Sequence, residues 1–218
     1  MSKIKLVVFD MDGTLLEPRS CWAYLHDYFG TDNSEMLKLY IEHKISDQHF
    51  VKSDLKLWQN STGDNVNEKY INKILDEIKP IKGAKELINE LHSQNIKTVI
   101  ISGGIQYLAN KWARLWNMER ALANELIDDK TGKLHAIINV RGNTKGPVME
   151  KLLTDMNIQT DEVISVGDTV VDLPLFERSA FSISVNTENK KMIENTDYHH
   201  KKRDLSDLIP IIMKIAKH

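Results

Sequence analysis

The sequence predicts an α/β protein, a doubly wound parallel sheet core with a small inserted all-helical cap. The core is predicted by an apolar strand at residues 6–9 and by helices and strands that alternate from about residue 84 onward, as in βαβ units. The cap is predicted because residues 16–79 show only helical spacing of apolar side chains. We therefore assign residues 1–15 and 80–218 to the core domain and residues 16–79 to the cap domain.

The cap helices are predicted from four groups of apolar residues at helical spacing. These groups are Trp22, Leu25 and Phe29; Met36, Leu37, Tyr40 and Ile41; Phe50, Leu55 and Trp58; and Tyr70, Ile71, Ile74, Leu75 and Ile78. Aromatic side chains at this spacing favour the core of a small helical bundle over a stacking platform for a substrate. Pro80 and Gly83 then mark the return of the chain to the core.

The core elements follow in an order that is typical of a parallel sheet with helices on both faces. The patterns predict a helix through residues 87–91, a strand at 98–101, a helix through 108–115, a strand at 121–126, and a hairpin turn at 129–133 that leads into a strand at 134–140. They further predict a helix after Lys145, a strand at 163–166, a short helix at 173–178, a strand at 181–185 and a final helix through 208–215.

Two carboxylates follow the first predicted strand, in the sequence Asp10-Met11-Asp12-Gly13-Thr14. Residues two apart on a strand share a face, so Asp10 and Asp12 would meet unless one of them has left the strand. Two carboxylates that close together do not both ionise cheaply without a cation or a proton between them. The motif therefore indicates a metal ion and a carboxylate that does chemistry, with Gly13 providing the turn. The alternative is an ordinary strand-to-loop turn, in which Asp and Gly are common.

Polar residues also follow later strands of the predicted sheet. Residues 102–104 (Ser-Gly-Gly) follow the strand at 98–101 and are predicted to open the next helix, where backbone N–H groups and a hydroxyl make an anion site. Lys145 precedes a helical pattern, and Asp168 and Asp172 follow the strand at 163–166. Because open parallel sheets bind ligands beyond the carboxyl ends of their strands, we expect these residues to converge. Taken singly, the same residues are also typical of helix caps and of a solvated lysine.

In this order the motifs resemble those of the haloacid dehalogenase superfamily of aspartyl-phosphate enzymes, whose core is a Rossmann-like sheet. The chain is most similar to the phosphoserine-phosphatase branch, in the Ser-Gly-Gly form of the second motif, in residues 123–126 and 129–134, and in residues 202–205. The resemblance implies a Mg²⁺-dependent phosphomonoester hydrolase that acts through an aspartyl-phosphate intermediate. Its substrate would be a small phosphorylated metabolite, with phosphoserine as the leading candidate.

The resemblance also implies a role for each residue of the motifs. Asp10 would be the covalent nucleophile, and Asp12 would be the general acid and base. Ser102, Gly103 and Lys145 would hold the phosphate oxygens. The ligands of Mg²⁺ would be Asp10, Asp12 through its backbone carbonyl, Asp168 and, directly or through a water, Asp172.

Three residues depart from the pattern of the phosphoserine-phosphatase branch. Arg19 stands where the branch usually has a glutamate that faces the substrate amino group, Asp54 where it has an arginine for the carboxylate, and Val171 where it has an asparagine. One hypothesis is a zwitterionic leaving group held in the exchanged sense, with Arg19 on its carboxylate and Asp54 on its amine. The alternative is that Arg19 and Asp54 pair with each other or never meet, and that the leaving group is not a zwitterion.

Other classes of protein share part of this pattern. A receiver-like phospho-switch has an acceptor aspartate on a similar sheet, but it lacks the second aspartate and the helical insertion. A dehalogenase acting on carbon has no use for a general acid at position 12 or for Mg²⁺. A phosphotransferase or phosphomutase with the same core stays open, and so does a phosphatase for an ester that is not an amino acid.

The composition argues against several kinds of partner. The net charge of −2 argues against a nucleic-acid surface. Cys21 is the only cysteine, so no intrachain disulfide can form and a reducing cytoplasm is expected. No apolar stretch approaches the roughly 18 residues of a membrane helix. We expect a cytoplasmic protein whose partner is a small-molecule phosphate ester, and not nucleic acid or a membrane; the oligomeric state is left open.

Overall fold

The computed structural model describes residues 4–62, 66–141 and 144–217, and within them seven strands form one sheet. The strands are β1 (Leu6–Phe9), β2 (Lys97–Ile105), β3 (Arg120–Asp128), β4 (Leu134–Ile137), β5 (Val163–Gly167), β6 (Phe181–Val185) and β7 (Tyr198–His200). Their order across the sheet is β4-β3-β2-β1-β5-β6-β7. Neighbouring strands are parallel except β3 and β4, which form an antiparallel hairpin at one edge. The predicted doubly wound α/β fold is confirmed.

The helices cover the sheet and fill the segment between β1 and β2. They are α1 (Cys21–Phe29), α2 (Ser34–Ile41), α3 (Asp47–Thr62), α4 (Glu68–Leu75), α5 (Ala84–Ser93), α6 (Gln106–Leu115), α7 (Lys145–Met156), α8 (Leu173–Phe176), α9 (Lys190–Glu194) and α10 (Ile209–Ala216). Across the ranges that the structure describes, none of these helices has the length and apolar character needed to cross a membrane.

Strand β1 lies between β2 and β5 and is covered on both faces. All four of its residues are fully buried, as the unbroken apolar run predicts for a central parallel strand. Val7 and Phe9 belong to one apolar cluster, and Leu6 and Val8 belong to the other, because successive side chains point to opposite faces. Because β2 and β5 are both parallel to β1, the residues that follow these three strands lie at one edge of the sheet.

The chain enters and leaves the segment of helices α1–α4 through two stretches that lie side by side. Leu16 forms an isolated bridge with Pro80, and the Glu17 N–H donates to the Lys79 carbonyl at 3.0 Å. Trp58 in α3 is fully buried and belongs to the same apolar cluster as the sheet residue Phe9. Helices α1–α4 thus pack onto the sheet, and the division of the chain at residues 16 and 79 stays a prediction.

The segment at residues 102–104 differs from its prediction. It does not open a helix, because β2 continues through it to Ile105 and α6 begins only at Gln106. The pairing of β2 with β3 shifts in register between Ile101 and Ile105, so this part of the strand is bent out of the regular ladder. Gly104 permits this because a Cβ there would lie 2.6 Å from Met11 Cε.

Smaller differences occur at element ends and on the surface. Leu37, Ile41 and Leu115 were predicted to face the core, but they are 43%, 65% and 57% exposed. The first two lie on the short helix α2, whose residues all stay at least partly exposed, and the third is the last residue of α6. The strand expected at 134–140 ends at Ile137. Helix α9 and strand β7 were not predicted, because elements of five and three residues carry almost no periodic signal.

Candidate active site

Three polar side chains lie at one edge of the sheet, at the ends of adjacent strands. Asp10 follows β1, and its backbone N–H donates to the Val166 carbonyl of β5 at 2.9 Å. Ser102 lies near the carboxyl end of β2, and Asp168 directly follows β5. All three side chains are buried. The structure therefore brings together the residues that the sequence analysis placed at these strand ends.

Lys145, the first residue of α7, adds a positive charge to this edge. Its Nζ lies 2.8 Å from Asp10 Oδ1 and 2.6 Å from Asp172 Oδ1, and the residue is 1% exposed. Burial alone would lower the pKa of the ammonium, but the carboxylates of Asp10 and Asp172 outweigh it and raise that pKa above its ordinary value. Lys145 is therefore a permanently charged group that faces both carboxylates.

Asp172 fixes the loop that follows β5. Its Oδ1 accepts a hydrogen bond from Lys145 Nζ, and its Oδ2 accepts from the backbone N–H groups of Asp168 and Thr169, both at 3.1 Å. A Cβ on Gly167 would lie 2.6 Å from atoms of the Asp172 side chain, so glycine is needed for this close approach. Asp172 thus orients the lysine and the backbone that carries Asp168.

Asp10, Asp168 and Asp172 form an acidic cluster in which one oxygen of each residue lies within 4.8 Å of the others. Burial is the main cause that raises the pKa of Asp10 to about 6 and the pKa of Asp168 to about 8. The neighbouring carboxylates add to the rise, and Lys145 opposes it. Asp168 Oδ2 is buried and has no hydrogen-bond partner among the described residues. These hard oxygen donors, with too little positive charge between them, fit a divalent metal ion.

The Asp12 side chain does not join the acidic cluster. Its Oδ2 accepts a hydrogen bond from the Cys21 N–H at 2.7 Å, and its Oδ1 is buried without a partner in the described ranges. Burial raises the pKa of Asp12, and the hydrogen bonds from Cys21 oppose that rise. A carboxyl group with a raised pKa and one free oxygen can take up or release a proton beside Asp10.

Two glycines allow the backbone to approach these carboxylates closely. Gly13 has a φ of 71°, in the left-handed region, and a Cβ there would lie 2.3 Å from Asp168 Oδ2. A Cβ on Gly104 would lie 2.6 Å from Met11 Cε and 2.9 Å from Asp12 Oδ2. Both positions therefore require glycine for the arrangement of the site.

The backbone at Gly103 is held in place beside open space. Its carbonyl accepts hydrogen bonds from Trp22 Nε1 of α1 at 3.1 Å and from Asn124 Nδ2 of β3 at 2.8 Å. The Ser102 hydroxyl accepts from the Gly104 N–H at 3.1 Å. A Cβ on Gly103 would meet no described atom within 4 Å. A fixed, polar backbone segment next to free volume is suited to binding an anion.

The sequence analysis assigned no functional role to Cys21, Trp22 or Asn124. Cys21 acts through its backbone N–H, which no sequence pattern can single out. Trp22 was interpreted as an apolar core residue only. A signal was present in its indole N–H, because such a group needs a hydrogen-bond partner when it is buried.

The structure does not bring Arg19 and Asp54 together. Arg19 is exposed, and its Nη2 donates to the Asn186 carbonyl at 3.3 Å. Asp54 is 1% exposed in α3, where its Oδ1 accepts hydrogen bonds from His26 Nε2 at 2.9 Å and from Asn33 Nδ2 at 2.5 Å. The two side chains have separate partners and do not form the pair considered as an alternative above.

A cavity of about 700 Å³ lies between helices α1–α3 and the edge of the sheet that carries the site. Gly103, Thr169 and Val171 line it on the side of the sheet, and Trp22 and Asp54 are among the residues that line it on the side of the helices. Of the three residues that depart from the expected pattern, Asp54 and Val171 line this cavity and Arg19 does not.

The chain combines a doubly wound sheet with a buried carboxylate, Asp10, directly after its central strand. The chain belongs to the haloacid dehalogenase-like hydrolases, because the model of that family matches residues 4–179. It is 26% identical to a phosphoserine phosphatase of Methanocaldococcus jannaschii, over 96% of this chain and 98% of the relative. It is 29% identical to a phosphoserine phosphatase of Campylobacter jejuni subsp. doylei, over 96% of this chain and 100% of the relative. A solved phospho-aspartyl intermediate analogue of phosphoserine phosphatase matches with a TM-score of 0.78 at 25% identity, over 96% of this chain and 99% of that chain.

Proposed function

We propose that this protein is a Mg²⁺-dependent phosphomonoester hydrolase that acts through an aspartyl-phosphate on a small phosphorylated metabolite. The observation that carries the proposal is the position of Asp10, a buried carboxylate at a strand end, 2.8 Å from Lys145 and within the acidic cluster. Membership of a hydrolase family and the similarity to two phosphoserine phosphatases support it.

Asp10 is the nucleophile in this proposal. A phosphate monoester dianion repels nucleophiles and hydrolyses extremely slowly, so catalysis depends on positioning and on charge neutralisation. Lys145 favours the ionised form of Asp10 against the effect of burial, and the ionised oxygen is the form that attacks phosphorus. The attack breaks the bond to the leaving oxygen and transfers the phosphoryl group to Asp10.

Ser102, Gly103 and Lys145 bind the phosphate oxygens. Trp22 and Asn124 hold the Gly103 carbonyl, so the backbone at this point does not have to reorganise when the substrate arrives. Lys145 Nζ lies 2.8 Å from Asp10 Oδ1, so its charge offsets that of the carboxylate and that of a phosphate bound next to it.

Mg²⁺ would be held by the acidic cluster of Asp10, Asp168 and Asp172, together with the backbone carbonyl of Asp12. When bound, the ion supplies positive charge that offsets the charge of the carboxylates and of the phosphate. Asp172 has a further role, because it orients Lys145 and the backbone of Asp168 through hydrogen bonds.

Asp12 is the general acid for the leaving oxygen and then the general base for the water that attacks the aspartyl-phosphate. Its raised pKa allows it to hold a proton at the start of the reaction. The Cys21 N–H fixes Oδ2, which leaves Oδ1 to exchange the proton.

Helices α1–α4, within residues 16–79, are proposed as a cap that covers the site and selects the leaving group. Phosphoserine is the leading candidate substrate, because the relatives named above are phosphoserine phosphatases. A phosphate ester that is not an amino acid is the second candidate. It is favoured by Arg19, which bonds to Asn186 and so offers no cation to a substrate carboxylate in the cavity.

The proposal is tested by the hydrolysis of p-nitrophenyl phosphate and phosphoserine by wild type and Asp10→Asn. We expect Asp10→Asn to lower kcat by at least about 10³-fold, because an amide is a poor nucleophile towards phosphorus. EDTA should abolish the wild-type activity and Mg²⁺ should restore it. Asp155→Asn, at an exposed carboxylate on α7, is the control and should keep its activity. Wild-type turnover by a folded Asp10→Asn protein would contradict the proposal, and transfer of phosphate to an acceptor without net release would indicate a phosphotransferase.

A further inference from the structure

The cavity beside the active-site edge has an excess of acidic side chains. Among the described residues that line it, the carboxylates are Asp27, Asp32, Asp47 and Asp54, and the one lysine or arginine is Arg141. Arg141 Nε lies 3.3 Å from Asp47 Oδ2, so its charge is already matched by an ion pair. The lining therefore has uncompensated negative charge.

Asp54 is the most deeply buried of these acids, and its hydrogen-bond donors are a histidine and an asparagine. His26 Nε2 and Asn33 Nδ2 both donate to its Oδ1. His26 Nδ1 lies 2.7 Å from the Thr31 hydroxyl oxygen and accepts from Trp58 Nε1 at 3.3 Å, because an indole nitrogen only donates. The ring proton is then on Nε2, the nitrogen that faces Asp54. No lysine or arginine pairs with Asp54 among the described residues.

A buried carboxylate without a counter-charge is costly, and that cost falls when a cationic group binds to it. Aromatic side chains in the same cavity also attract cations through their faces, and Trp22, Tyr40 and Phe50 line it. Trp22 additionally donates to the carbonyl of Gly103 at the proposed phosphate site. The cavity therefore extends from Gly103, at the edge of the proposed phosphate site, to the Asp54 carboxylate.

We propose that this cavity binds a positively charged amino group on the leaving group of the substrate, with Asp54 as the residue that pairs with the ammonium. The inference rests on the proposed function and specifies its substrate class. His26 and Asn33 hold Oδ1 and so orient the carboxylate, which leaves Oδ2 for the ammonium. The phosphate esters of serine and of a simple amino alcohol share this group.

The test compares kcat/KM of wild type and Asp54→Asn on four esters. Phosphoethanolamine and phosphoserine carry the ammonium, whereas ethylene glycol monophosphate and p-nitrophenyl phosphate do not. We expect Asp54→Asn to lower kcat/KM about 10- to 100-fold for the two amine esters, the effect of one lost charge-assisted hydrogen bond, and less than about threefold for the others. Asp155→Asn, at an exposed carboxylate outside the cavity, should leave all four values unchanged.

An equal loss on charged and neutral esters would overturn the proposal, because it would mean that Asp54 supports the structure only. A second measurement needs neither the variant nor hydrolysis. We expect 2-aminoethylphosphonate to bind wild type at least about 10-fold more tightly than propylphosphonate, its uncharged analogue, in calorimetry. Equal affinities would overturn the ammonium site even if the enzyme hydrolyses esters. Failure to hydrolyse any ester with Mg²⁺ would instead reject the proposed function, and the two phosphonates would still decide the ammonium site.

Discussion

Asp168→Asn should make the metal-free protein more stable, although it removes a ligand of the proposed metal. Asp168 is buried, its Oδ2 has no hydrogen-bond partner within the described ranges, and it lies in the acidic cluster with Asp10 and Asp172. An asparagine keeps the shape of the side chain and removes one of three buried carboxylates. Its amide group can also donate to the two carboxylates that remain.

The pKa of Asp168 sets the size of this gain and its dependence on pH. Burial, with the repulsion of Asp10 and Asp172, raises that pKa from 3.8 to about 8. Because the pKa is higher in the folded state, the folded protein holds a proton that the unfolded chain has released, and stability is lost as the pH rises from about 4 to about 8. At about 1.4 kcal/mol per pH unit, the loss is on the order of 2 kcal/mol at pH 5 and of 4–5 kcal/mol at pH 7. The asparagine in Asp168→Asn does not titrate, so the variant should avoid most of this loss in the free energy of unfolding.

The measurement is urea unfolding of wild type and Asp168→Asn in EDTA, at several pH values between 5 and 7. The variant should be the more stable protein, and its advantage in the free energy of unfolding should grow by about 3 kcal/mol over this range. The exposed control Asp155→Asn should stay within about 0.5 kcal/mol of wild type without a trend. Saturating Mg²⁺ should stabilise wild type more than Asp168→Asn, because the variant lacks one ligand. An advantage that does not change with pH, or a variant less stable than wild type in EDTA, would refute the reasoning.

Two further predictions use matched pairs of variants in the same urea titration. Gly104→Ala should lower the free energy of unfolding by about 1–3 kcal/mol, because its Cβ would lie 2.6 Å from Met11 Cε and 2.9 Å from Asp12 Oδ2, which the Cys21 N–H holds in place. Gly103→Ala, whose Cβ meets no described atom within 4 Å, should cost much less, and equal costs would count against the steric argument. Trp22→Phe should lower the free energy of unfolding by about 1 kcal/mol more than Trp112→Phe does, because Trp22 loses its hydrogen bond to Gly103. The Trp112 indole N–H has no partner among the described residues, so the reverse order would show that the Trp22 bond contributes nothing.

The sheet and its strand ends could be predicted because their signals are local. The run of four apolar residues before Asp10 describes a strand buried on both faces, and the run at 163–166 before Asp168 does the same. Parallel strands that are neighbours bring their carboxyl ends together whatever the rest of the chain does. The order of the motifs along the chain was therefore enough to predict that Asp10, Asp168 and Lys145 lie close together.

The arrangement around the leaving group could not be predicted, because it depends on how distant segments pack. Counting along the sequence placed Arg19 and Asp54 where the phosphoserine-phosphatase branch has its two substrate-binding residues. In the structure, Asp54 instead bonds to His26 and Asn33, and Arg19 lies outside the cavity. The segment at 102–104 is similar, since glycine permits a helical or an extended backbone. Hydrogen bonds from Trp22 and Asn124, on two other elements, accompany the extended form.

The position of β1 in the sheet also has a consequence for how the chain reaches its fold. Leu6 pairs with Lys97 on one side and with Val163 on the other, so β1 leaves the ribosome well before both of its neighbours have been made. Contacts between residues so far apart in sequence form slowly, and an apolar strand with two open edges is prone to aggregate. Helices α1–α4 depend on local contacts and can form before β1 has paired with both of its neighbours. We therefore expect the pairing of β1 with β5 to be a slow step of folding.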